Sequence, residues 1–162
     1  MADREEPRDR RGETRDERFD RNWTELLQEL RVAQTGVQIL FAFLLTLPFN
    51  QRFAEVTPGQ KATYIVTILC TGLATLFLIA PVSHHRILFR RGRKGELVAT
   101  SSNLAGVGLW FLWLSIVGAI FLIFQVVVGM SWAVGVSAAF AAAFIGIWYI
   151  LPTVQALKRF TS

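Results

Sequence analysis

The chain has 162 residues, 52% of them apolar, with a mean hydropathy of +0.40 and a formal net charge of +5. Charge is placed as unevenly as hydropathy: 18 of the 29 Lys, Arg, Asp and Glu residues precede Val32, and the remaining 131 residues carry 11. A charged head joined to an apolar body excludes an ordinary soluble domain, in which charge is spread throughout.

The head holds eight Arg against ten Asp or Glu, so the basic surplus belongs to the apolar body. That placement argues for a lipid bilayer with anionic lipid as partner, and for no nucleic acid. Cys70 is the single cysteine and lies in an apolar run, so neither a disulfide framework nor a zinc cluster can be built on it, and no cofactor is implied.

Residues 1–20 are almost entirely Arg, Asp, Glu, Gly and Pro with opposite charges interleaved, and they offer little apolar surface to repay ordering. We read them as a disordered, charged cytoplasmic tail. From Arg21 the pattern changes: Trp23, Leu26, Leu27 and Leu30 recur at helical spacing, with Asn22 as N-cap. Two readings of this amphipathic helix stand together, one lying in the membrane interface and one extending the first spanning helix.

A spanning helix needs about 20 apolar residues to cross ~30 Å of hydrocarbon. The domain at 21–160 supplies four such spans, at about 32–52, 62–82, 104–127 and 131–155. The first ends near Pro48, and Pro81 marks the end of the second. The stretch Leu104 to Leu151 holds 48 residues without a charge, and it relaxes only at Gly129-Met130-Ser131, where a tight hairpin is expected. The expected fold is all-α: four transmembrane helices in an up-down-up-down bundle.

Basic residues fix an orientation. Arg86, Arg90, Arg91, Arg93 and Lys94 crowd the connector between spans two and three, whereas the hairpin between spans three and four has none. With four spans, the basic connector and both termini fall on the cytoplasmic side. The same cluster can also grip anionic headgroups. His84 and His85 are adjacent, without an Asp, Glu or Cys at ligand spacing, so they make a poor metal pair.

Inside the spans the polar residues form patterns. Thr63, Thr67, Thr71 and Thr75 make an i, i+4 ladder, which can bond a neighbouring helix, line a polar path, or bond back to its own carbonyls. Gln34 and Gln38 sit one turn apart on span one, and Gln125 lies near the end of span three; an amide in lipid needs a partner. Ser131, Gly135, Ala139 and Ala143 form a small-residue face on span four, suited to close helix approach within the chain or between copies.

No paired carboxylates, Ser–His–Asp set or metal site is present in this pattern, so no enzyme is expected, and spans two to four carry no ionisable group of the kind a proton or ion carrier uses.

The segments ELLQELRVAQTGVQILFAFLLTLPF at 25–49 and APVSHHRILFRRGRKGELV at 80–98 resemble the bacterial family known as domain of unknown function 6328. The resemblance covers about residues 20–160. It implies a four-span protein of the bacterial inner membrane and no catalytic residues. Some family members carry a sodium:proton antiporter label, which supplies a small ion or proton transporter, formed by oligomerisation, as the alternative. The leading expectation is a multi-pass membrane protein that works through helix association, as a homo-oligomer or as the accessory subunit of a membrane protein partner.

Overall fold

The computed structural model describes residues 15–88, 94–150 and 153, and every regular element among them is helical. Helix α1 spans Arg15–Thr46, α2 Pro58–Leu88, α3 Lys94–Val127 and α4 Met130–Ile145. Short 3-10 turns at Leu47–Phe49 and Gln51–Glu55 join α1 to α2, and one π-helical turn, Gly146–Ile150, follows α4. Among the described residues four stretches are long and apolar enough to cross a membrane: Arg21–Phe49, Pro58–Ser83, Thr100–Val127 and Met130–Trp148. Large apolar side chains on them face outward, Phe43 at 69% exposure and Val32 at 76% among them, as lipid-facing surfaces require.

The buried residues explain how these helices pack. On α1 they are Trp23, Leu30, Val37 and Leu44, each seven residues from the last. On α2 they are Tyr64, Thr67, Thr71, Ala74, Leu78 and Pro81, alternating three and four apart. Strict seven-residue recurrence is the coiled-coil seam, which keeps one stripe of each helix against its neighbours. On α3 the same spacing falls on small residues, Ser101, Ala105, Gly108 and Ser115, before Leu122.

The chain divides into two compact units. Unit 1 comprises Met1–Phe43 with Cys70–Leu112; its core is Leu30, Val37, Ala74, Leu78 and Ala105, with Phe77 and Phe111 stacked at 5.8 Å. Unit 2 comprises Leu44–Leu69 with Trp113–Ser162; in it Trp113 meets Phe144 at 5.9 Å, and Phe144 stacks on Trp148 at 4.5 Å.

Several boundaries differ from the sequence reading. Helix α1 already runs at Arg15, so the last six residues assigned to a disordered tail are helical and Asn22 is inside the helix, not its N-cap. The interleaved charges that cannot build a core do supply i, i+4 spacings of opposite sign, such as Glu17 and Arg21, which favour helix. The amphipathic segment is continuous with the first span in one helix and not a separate element. Residues 1–14 lie outside the described residues.

Helix α2 starts at Pro58, four residues before the expected Ala62, because Thr57 and Gln60 form a reciprocal capping box. The Thr57 N–H donates to Gln60 Oε1 at 2.8 Å, and the Gln60 N–H donates to Thr57 Oγ1 at 3.3 Å. Pro58 occupies the first helical position, where no N–H is needed. At the other end Pro81 does not terminate α2, which continues to Leu88. Its ring is buried, and packing around it offsets the lost hydrogen bond. Helix α3 likewise begins at Lys94, ten residues before the expected start.

The helical run breaks at Val128–Gly129. Both N–H groups donate to Phe124 O at 2.9 Å, and Gly129 adopts φ 110° and ψ 173°. That conformation is open essentially to glycine alone.

Candidate functional site

The chemistry-bearing side chains are the amides, hydroxyls and small residues of the apolar helices. One of them answers to a proline. A proline cannot donate to the carbonyl four residues earlier, and its ring crowds that turn. Pro48 therefore deprives Leu44 O of its helical donor. The Tyr64 hydroxyl, from the first half of α2, donates to Leu44 O at 3.0 Å, and its buried ring packs edge-on against Phe53 at 5.1 Å. In unit 1, Gln34 Nε2 donates to Leu78 O at 2.7 Å, three residues before Pro81.

Close helix approach accompanies both contacts. A Cβ placed on Gly108 would lie 2.8 Å from Leu78 Cγ and 3.1 Å from Leu78 N, so only glycine fits against that turn. In unit 2, a Cβ on Gly118 would strike the Thr67 hydroxyl. The small seam of α3 thus receives α2, a role the sequence reading gave to span four. Its signal was present in the three-and-four spacing of Ser101, Ala105, Gly108 and Ser115.

The threonine ladder turns inward on its own helix. Thr63 Oγ1 donates to Gly59 O at 3.1 Å, Thr67 Oγ1 to Thr63 O at 2.8 Å, and Thr75 Oγ1 to Thr71 O at 2.9 Å. Thr67 and Thr71 are buried. On α1, Thr35 Oγ1 bonds Arg31 O in the same way at 3.0 Å.

The remaining amides differ. Gln125 Nε2 meets Met130 Sδ at 3.7 Å, and its Oε1 is buried without a hydrogen-bond partner. Gln38 is exposed on the outer face of α1 and makes no hydrogen bond among the described residues. It continues an exposed stripe, Gln28, Arg31, Thr35, Gln38 and Ala42, which also advances by three and four.

On α4 the expected small face, Ser131, Gly135, Ala139 and Ala143, is exposed along its whole length, and a Cβ on Gly135 would meet nothing within 4 Å. The residues of α4 that are buried are Ala133 and Ser137. Packing within the chain uses that second stripe and leaves the first open. Of the basic cluster, Arg86 and Lys94 have helical backbone, and nothing is described of their side chains. Arg90, Arg91 and Arg93 lie outside the described residues.

Sequence reasoning also missed a groove in unit 2. It has a volume of about 240 Å³ and an almost wholly apolar wall of Leu47, Phe53, Leu122, Ile123 and Val126, with Arg52 at its edge. Its walls come from segments some 70 residues apart in sequence, so no local pattern announces it.

No curated protein and no solved structure matches the chain. The model of the Family of unknown function (DUF6328) matches residues 12–152, nearly the whole chain, and the protein belongs to that family.

Proposed function

We propose that this is a four-span, up-down-up-down protein of the bacterial inner membrane with both termini in the cytoplasm, and that it acts by helix association, as a homo-oligomer or as an accessory subunit. The basic residues of 86–94 support the orientation, because short cytoplasmic loops collect Lys and Arg.

The observation that carries association is Gln38. It stands seven residues after Arg31, the last charge before the uncharged run, and eleven before Phe49, about 10 Å and 16 Å along the helix. An amide at that depth with no partner among the described residues is costly in hydrocarbon. A Gln side chain both donates and accepts, so a second helix carrying the same group, or a polar group of another subunit, satisfies it. The open face of Ser131, Gly135, Ala139 and Ala143 supplies a second surface for close approach.

The experiment is to measure the assembly state of the full chain, gently extracted in detergent, by native mass spectrometry, with and without Gln38→Leu. Loss of a defined oligomer or of a stoichiometric protein partner in the variant supports the reading. Identical assembly in Gln38→Leu and in the double variant Gln38→Leu, Gly135→Leu ends it. Formation of an ion or proton path by oligomerisation remains the alternative. It has less support, because Thr63, Thr67 and Thr75 direct their hydroxyls to their own backbone and not into a lining.

A further inference from the structure

We infer that the groove of unit 2 is a specific phospholipid site, which takes one acyl chain against its apolar wall and the lipid phosphate on Arg52.

Position comes first. The groove is bordered by Leu47, beside the end of the apolar stretch Arg21–Phe49, and by Val126, at the end of Thr100–Val127. It therefore opens where hydrocarbon gives way to headgroups. From Leu122 to Val127 is five residues, so α3 supplies about 8 Å of wall, enough to take the first carbons of an acyl chain. Its wall offers dispersion contacts and almost no polar atoms, which a polar ligand would require.

Charge supplies the rest. Arg52 is exposed, and its guanidinium makes no ion pair among the described residues, although Glu55 follows three residues later in the same 3-10 turn. Its backbone N–H is held by Asn50 Oδ1 at 3.0 Å, which fixes the turn and leaves the side chain uncommitted. An unpaired guanidinium at the rim of an apolar cleft matches a phosphodiester carried on a hydrocarbon chain, because the fork of N–H donors fits two phosphate oxygens. Lys61, also exposed, adds a second cation near the same end and gives a net-anionic lipid the advantage over a zwitterionic one. This site is independent of association through Gln38.

The test is titration of phosphatidylglycerol and, separately, phosphatidylcholine into the delipidated full chain in detergent, with bound lipid counted by native mass spectrometry. One phosphatidylglycerol should be retained preferentially. Arg52→Gln, at an exposed position, should weaken retention of both lipids about five- to tenfold, and Lys61→Gln, also exposed, should abolish the preference for phosphatidylglycerol over phosphatidylcholine. Ile123→Trp, at a residue 60% exposed, should fill the cleft and reduce binding of both lipids while helix content by circular dichroism is unchanged. Gln38→Leu should leave lipid retention as it is. Equal retention of both lipids by the native protein, unchanged retention in Arg52→Gln and Ile123→Trp, or displacement of the lipid by millimolar inorganic phosphate would overturn the inference.

Discussion

Replacing Tyr64 by Phe isolates one hydrogen bond. The ring and its edge-on contact with Phe53 at 5.1 Å remain, and only the donor to Leu44 O is removed. A buried acceptor left without a partner costs about 1–3 kcal/mol. Side-chain hydrogen bonds between membrane helices average about 0.6 kcal/mol and reach about 1.7, because the dissociated helices find other partners. Here the reference state is less forgiving. Pro48 denies Leu44 O its helical donor whether or not α2 is docked, so the tyrosine contact should lie near the upper figure, about 1.5 kcal/mol, or roughly tenfold in the unfolding constant.

The assay is reversible unfolding of the purified protein in mixed micelles by added dodecyl sulfate, followed by circular dichroism and tryptophan fluorescence. A second arm decides the cause. Pro48→Ala returns an N–H four residues after Leu44, and in that background Tyr64→Phe should cost less than about 0.5 kcal/mol. Equal costs in the two backgrounds, or no cost in either, would refute the link between proline and tyrosine.

Three further substitutions probe the same physics. Gly108→Ala drives a methyl group to 2.8 Å from Leu78 Cγ, close to backbone, and should destabilise by about 1–3 kcal/mol in the same unfolding assay. Gly129→Ala should cost a similar ~1–3 kcal/mol through its φ of 110°, with no packing change, since a Cβ there meets nothing within 4 Å. Thr75→Val removes a hydroxyl that serves only its own helix, and its midpoint should move by less than the equivalent of about 0.5 kcal/mol; a larger loss would mean that the hydroxyl acts on a neighbour.

The apolar helices were legible because hydrocarbon thickness is a strict ruler: 48 uncharged residues cannot make one crossing, and Gly129 is the natural break. The inward stripe of α1 was half legible, since Trp23 and Leu30 begin a seven-residue series that Val37 and Leu44 complete. Other features needed neighbours. Pro81 ends a helix on local chemistry alone, and α2 continues here with the proline ring buried. Small residues on α3 and α4 are similar in composition, yet α3 turns Ser101 and Ala105 inward while α4 shows Gly135 and Ala139 to the outside. Composition identifies a face that permits close approach, and only the partner decides which such face is used. For the threonine ladder, spacing alone left three roles open, and the hydrogen bonds of Thr63, Thr67 and Thr75 to their own helix select the local one.

Helix α1 is 32 residues long, about 48 Å, against ~30 Å of hydrocarbon. The apolar stretch closes at Phe49 and opens at Arg21, and the charged turn from Arg15 continues it as one rod. Backbone hydrogen bonds along that length make α1 torsionally stiff. A turn of the helix that swings Gln38 toward or away from a neighbour swings Glu25 and Glu29 through the same angle. The apolar and charged ends of α1 therefore act as two handles on one shaft, and whatever grips either handle sets the position of the other.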